Sequence, residues 1–226
     1  MTESSDEIIP RPLMGPGFGP PSGQQPEHLC ILLHGVGADG NDLIGLAPLL
    51  AEALPTARFI APNGPEPCDM APMGYQWFPL QDKADDVLEA GVRRAAVDAN
   101  AFIDEMLAGL ELGPERLILI GFSQGAMTAL HIGLRREVAP AAILSFSGAL
   151  IAPDTLGREI RCRPPVCLIH GEADDLVPVG SLNVAKEVIA SAGVKVESHT
   201  LEGLGHGIDE AALELAGAFL GRVLGD

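Results

Sequence analysis

Gly121-Phe122-Ser123-Gln124-Gly125 sets a serine midway between two glycines, directly after the apolar run at 116–120 and directly before a helical pattern. A strand-to-helix turn this tight drives the positions two before and two after the serine against backbone, so both must be glycine. Such a turn lifts the Ser123 hydroxyl to a sheet edge with a helix N-terminus behind it, where developing negative charge is favoured. That is the setting of a nucleophile for acyl transfer. A serine ahead of a helix more commonly caps it, which is the competing role. Ser145 and Ser147 are rival hydroxyls, but neither has the flanking pair of glycines.

A serine hydroxyl is a poor nucleophile near neutral pH, so a base must take its proton and a third group must hold that base. Six histidines compete. His28 lies in the approach to the first strand, His131 in a helical pattern and His199 in the strand pattern VKVESHT. His34 and His170 end strands ahead of glycines, where shaping a loop is the simpler role. His206 differs, because Gly205 and Gly207 give its loop the freedom to bring an imidazole into a site. Asp174, just past the buried run at 165–169, is the expected orienter, with a turn or cap role competing for both it and Asp175. At the end of the first clear strand, the glycines of Leu33–Asn41 free backbone N–H groups to face an anion, and the Walker spacing is missing. Val36 and Gln124 N–H are the expected oxyanion donors.

These groups need a scaffold that brings distant segments to one edge. Short apolar runs at 29–33, 57–61, 116–120, 141–146 and 165–170, followed by VKVESHT, alternate with helical patterns, the longest at 87–110. Unbroken apolar strands separated by helices predict an α/β fold, a mostly parallel open sheet of six or seven strands with helices on both faces. A closed (β/α)8 barrel needs more units than the chain provides. In open α/β sheets the chemistry lies beyond the carboxyl ends of the strands, where all the candidates above fall. Residues 1–26 are rich in proline and glycine, which excludes a helix or a central strand, so they read as a tail or surface wrap before a catalytic domain over 27–226.

With 47% hydrophobic and 20% charged residues, the 226-residue chain has material for a sizeable core. A net charge of −17 repels nucleic acid and anionic headgroups, which argues against nucleic-acid partners. Four scattered cysteines suit free thiols better than a disulfide scaffold or a paired zinc site. Neither an export-type leader nor an apolar run of membrane-spanning length is legible, so the expectation is a soluble, cytoplasmic protein without stable membrane insertion.

LLHGVGADGNDL, YQWF, GFSQGAMTAL, HGEADDLVP and GLGHGI resemble the successive signature blocks of the carboxylesterase and acyl-protein thioesterase family of α/β-hydrolases, over about residue 28 to the end. The resemblance implies an α/β-hydrolase fold with no large lid domain. It also implies Ser123, Asp174 and His206 as a triad, Val36 and Gln124 as oxyanion donors, no cofactor and no metal. The implied substrates are small esters or thioesters. A serine carboxylesterase on short- to medium-chain esters is the leading expectation, with an acyl-protein thioesterase, lysophospholipase or peptidase on the same triad as alternatives and a non-catalytic binding protein as a rival of another class. Relatives are often dimers, so a homodimer is one assembly to test.

The loop at 61–86 gathers Met70, Met73, Tyr75, Trp77 and Phe78 in a chain that is only 4% aromatic. Apolar side chains on an irregular loop need cover. The expectation is that Met73, Trp77 and Phe78, with Val177 across the site, wall an acyl pocket, and simple packing of the loop on the sheet edge is the competing role.

Overall fold

The computed structural model describes residues 8–225. Its elements run β1 (Gly17–Phe18), β2 (His28–Leu33), α1 (Gly40–Ile44), α2 (Ala47–Leu50), β3 (Ala57–Ile60), β4 (Glu66–Pro67), β5 (Tyr75–Gln76), α3 (Asp85–Gly109), β6 (Leu117–Phe122), α4 (Gln124–Gly133), β7 (Ala142–Phe146), α5 (Pro153–Glu159), β8 (Val166–Gly171), α6 (Gly180–Ser191), β9 (Val196–Leu201) and α7 (Glu210–Leu224). Seven strands form one sheet in the order β1-β3-β2-β6-β7-β8-β9, and β4 pairs with β5 in a small separate ribbon. All neighbours in the large sheet are parallel except β1 and β3.

The chain leaves β2 for β3 on one side and later returns as β6 on the other, so the strand order reverses between β2 and β6. At such a switch point the loops leaving the two strands part and open a crevice. Leu33 is level with Gly121 in the ladder, which puts the exits of β2 and β6 side by side.

Alternation along the strands divides the core in two. Leu29, Ile31, Leu117, Leu119, Ile143, Val166 and Leu168 pack with α3, α4 and α6. Cys30, Leu32, Ile118, Ile120, Leu144, Cys167 and Ile169 pack with α1, α2 and α7. Burial on both faces is why these strands read as continuous apolar runs.

Three local differences from the sequence expectations have clear causes. The helical pattern at 42–54 is two short helices, because Pro48 has no N–H to donate to the preceding turn. His28 is the first residue of β2 rather than part of the approach to it. The glycine- and proline-rich start, in its described part, is a strap fixed to the body. Gly17 and Phe18 pair with Ile60 and Phe59 at the sheet edge, and Leu13 is buried. Ala61 and Asn63 N–H donate to the carbonyls of Pro16 and Met14. Arg11 places Nε and Nη2 on Asp98 Oδ2, at 2.9 and 2.7 Å, and Nη1 on Glu66 at 2.6 Å. Asp98 is fully buried in α3 and takes a second guanidinium from Arg94, so the strap and its own helix together neutralise the buried carboxylate. Proline and glycine exclude a central strand, as expected, but not an edge strand of two residues. Residues 1–7 lie outside the described part.

Candidate active site

Ser123 sits between β6 and α4 with φ 53° and ψ −119°, a backbone region that L side chains rarely occupy. A Cβ added at Gly121 would lie 2.4 Å from Gly125 O, and one at Gly125 would lie 1.9 Å from Leu33 O. The two glycines are therefore steric requirements of the turn. Ser123 stands at the cap position of α4 but makes no side-chain cap hydrogen bond, so the competing capping role does not account for it. Its own N–H is fixed by Phe146 O at the end of β7, at 2.9 Å.

The β2 exit lies directly over this turn. A Cβ built on Gly35 would fall 3.3 Å from Ser123 Cβ and 3.1 Å from the Phe122 ring. Val36 N–H, between two glycines, has no protein partner among the described residues. Gln124 N–H opens α4, where no carbonyl four residues back is available to it. Both backbone donors are thus left without a protein partner among the described residues, on the two segments that meet at the serine.

Asp174 and His206 come together from different segments. His206 Nδ1 is 2.8 Å from Asp174 Oδ2. The other carboxylate oxygen, Oδ1, accepts from Leu176 and Val177 N–H at 3.0 and 2.9 Å. Burial alone would raise the Asp174 pKa, but the hydrogen bonds from His206, Val177 and Leu176 outweigh it and hold the carboxyl below its usual range. The His206 loop reaches this place by crossing Gly171, where a side chain would strike the Leu204 and Gly205 carbonyls. The His206 ring rests against Phe122, with centroids 4.8 Å apart, beside the serine's own neighbour. Because a carboxylate oxygen only accepts, Nδ1 carries the proton, and Nε2 of the neutral ring is left as an acceptor.

Loop 61–78 holds the other side. Gln124 Oε1 accepts Trp77 N–H at 2.9 Å, and its Nε2 donates to Phe78 O at 2.6 Å. Trp77 Nε1 donates to His34 O at 2.9 Å. His34 Nδ1 donates to Gly35 O and its Nε2 accepts from Gly64 N–H, at 2.7 and 2.8 Å. Gly37 N–H donates to Tyr75 O and Tyr75 N–H to Ala38 O across the same seam. Burial lowers the His34 pKa, which keeps the neutral ring that this donor-and-acceptor pattern requires.

The expected acyl wall is corrected by this packing. Trp77 is 0% and Phe78 1% exposed, and both belong to the core beneath the loop, so they support the site and present no surface to a substrate. Met73 is 80% exposed at the rim. Val177 is half-buried and is engaged through its backbone, by N–H to Asp174 and by carbonyl to His170. Read from sequence, the polar side chain of Gln124 has no part and the His170 ring only shapes a loop. The signals available were a polar residue inside the turn motif and a strand-end histidine four residues before an aspartate.

Among the described residues, Cys167, Glu197 and His199 bring donor atoms within 4.8 Å of one another, the arrangement a metal ion would need. Glu197 is already neutralised by Arg222, which reaches both of its oxygens, and burial pushes the Cys167 thiol up to about 12. The cluster is complete as an ion-paired link between β9 and α7. No helix among the described residues is long and apolar enough to cross a membrane.

The pattern of the phospholipase/carboxylesterase family matches residues 21–224. Among solved structures, esterase PE8 superposes with a TM-score of 0.89 at 41% identity, covering 94% of this chain and 99% of its own. Esterase YpfH of Escherichia coli is 30% identical over 84% of this chain and 80% of its own length. Acyl-protein thioesterase 1 of Gibberella zeae is 26% identical over 90% and 94% of the two chains.

Proposed function

The chain belongs to the phospholipase/carboxylesterase family of α/β-hydrolases, and from that premise we propose that it hydrolyses short- to medium-chain carboxylic esters through an acyl group carried on Ser123. The observation that carries this reading is a strained serine that caps nothing, on a turn whose Phe122 ring packs against an imidazole held at Nδ1 by Asp174.

In the first step His206 Nε2 takes the Ser123 proton as Oγ bonds to the ester carbonyl carbon. The carbonyl oxygen becomes an oxyanion that accepts from Val36 and Gln124 N–H. The tetrahedral adduct collapses, the bond to the alcohol oxygen breaks, and the proton on His206 leaves with the alcohol. Water then follows the same route: His206 takes its proton, the acyl–Ser123 bond breaks, and Ser123 Oγ regains the proton as the carboxylic acid departs. No step calls for a metal or cofactor. A fluorophosphonate probe, which forms a stable adduct with an activated serine, is expected to label Ser123 alone, and labelling elsewhere or none at all would count against the mechanism.

The substrate reading rests on the ground beside this turn. A pocket of about 360 Å³ lies at the carboxyl ends of β7 and β8, lined by Ala149, Leu150, Pro178, Gly180, Ser181 and Val184. It is one strand along the sheet from Ser123, and Met70, Met73 and Leu176 are exposed apolar residues on the neighbouring loops. Apolar lining without a covering domain suits a flexible acyl chain of modest length. Val184→Trp fills this pocket. It is expected to lower kcat/KM for an octanoate ester at least about 10-fold while sparing a butyrate ester, since about two methylenes kept from burial at roughly 0.8 kcal/mol each already account for that loss. Equal effects on the two esters would place the acyl chain elsewhere. The same panel, extended to thioesters and a lysolipid, ranks the leaving groups.

A further inference from the structure

Resting on the acyl-transfer reading above, we infer that His170 is a positioning residue that aims the Asp174 carboxylate at His206. His170 is the fifth residue of β8 and shares a face with Val166 and Leu168, so its ring is carried on a buried strand rather than on a loop. It is 2% exposed. Its Nε2 lies 2.7 Å from Val177 O and 3.2 Å from Asp174 Oδ2. A carbonyl only accepts, so Nε2 carries a proton and donates it to the Val177 carbonyl of the Asp174 loop, while the same edge of the ring stands against Asp174 Oδ2 without hydrogen-bonding it.

The consequence is a division of labour between the two oxygens. Oδ1 is pinned by the amides of Leu176 and Val177, which fixes where the carboxylate sits along its own turn. Those two bonds leave rotation of Oδ2 about the carboxylate axis poorly restrained. His170 supplies that restraint from the rigid strand by contact, its ring edge 3.2 Å from Oδ2 and its N–H fixing the Val177 carbonyl, and Oδ2 meets His206 Nδ1 at 2.8 Å. By holding the Val177 carbonyl as well, the same N–H ties the whole turn from Asp174 to Val177 down to β8. The imidazole of His206 is carried on a glycine-flanked loop, so Asp174 is the fixed point that decides its direction, and His170 fixes Asp174. A misdirection of about 1 Å at a reacting group is enough to cost roughly 100-fold in rate.

The test compares His170→Leu, which removes the donor, with His170→Gln, whose amide N–H can stand close to the position of the imidazole Nε2–H. His170→Leu is expected to lower kcat per folded molecule roughly 10- to 100-fold with a much smaller change in KM, because of the pocket lining only Pro178 adjoins the released Val177 carbonyl. His170→Gln is expected to recover most of that loss. A low-field proton resonance from His206 Nδ1–H is expected in the wild type, to broaden or vanish in His170→Leu and to return in His170→Gln. If His170→Leu does not fold, His170→Asn replaces it, since its shorter amide cannot reach the Val177 carbonyl. Full turnover without the donor, or a glutamine variant as impaired as the leucine variant, overturns the inference. Asp174→Asn is measured alongside: its inactivity together with a fully active His170→Leu removes the role of His170 alone, whereas a fully active Asp174→Asn removes the triad reading beneath it.

Discussion

Ser123→Ala is expected to abolish turnover of a nitrophenyl ester by at least about 10⁴-fold while leaving the fold intact. The size follows from the mechanism, because without Oγ there is no acyl-enzyme and only the oxyanion donors and substrate binding remain to assist attack by water. The intact fold follows from the local structure. The hydroxyl caps no helix, and the backbone at this position is held by Phe146 O and by the packing of Gly121 and Gly125, not by the side chain. Thermal melting of Ser123→Ala should therefore match the wild type to within about 1 kcal/mol of stability. Ser123→Gly, equally inactive, should be more stable than Ser123→Ala, since glycine accepts φ 53° without the strain of roughly 1 kcal/mol or more borne by an L side chain. Normal turnover in either variant would sink the assignment of the nucleophile.

Gly125→Ala is expected to have the largest effect on the scaffold. The added Cβ would lie 1.9 Å from Leu33 O, 2.3 Å from Leu33 C and 2.6 Å from His34 O. These are backbone atoms at the end of a central strand, so no side chain can rotate out of the way. The helix α4 must separate from β2, at a cost of about 3 kcal/mol or more, which for a chain of this size lowers Tm by roughly 6 to 12 °C. Activity should fall further than stability explains, because the displaced segment begins the loop that carries Val36 N–H. A Gly125→Ala protein with unchanged melting temperature and turnover would show that the turn tolerates a side chain that these distances exclude.

The parts of the site legible in the sequence are those set by local stereochemistry. Of the two glycines around Ser123, Gly121 is demanded by backbone clashes within five residues and Gly125 by the carbonyls at the end of the adjacent strand that such a turn always abuts, and the chain order of Ser123, Asp174 and His206 requires only that strand exits share one edge. What escaped depends on which way a side chain faces after distant segments meet. Trp77 and Phe78 look like pocket walls because they are apolar on an irregular loop, and nothing in the sequence says that Gln124 clamps that loop with both rings inward. His170 reads as a loop-shaping residue until the Val177 carbonyl and Asp174 are seen converging on its Nε2. The strap was legible as a tail or surface wrap but not as a strand, since the partner that turns Gly17–Phe18 into one is an edge more than 40 residues away. The α/β architecture was readable throughout, because strands buried on both faces leave an unambiguous apolar signature.

The strap also determines how the sheet ends. β1 covers part of the otherwise bare rim of β3 with two residues punctuated by proline, leaving little backbone on that side for another molecule to template against. The opposite rim, β9, is guarded instead by charge, with Glu197, His199 and Arg222 clustered along it. Removing the chain before residue 19 would unseal the first rim while leaving the catalytic groups in place, so such a shortened enzyme should lose colloidal stability before it loses its chemistry.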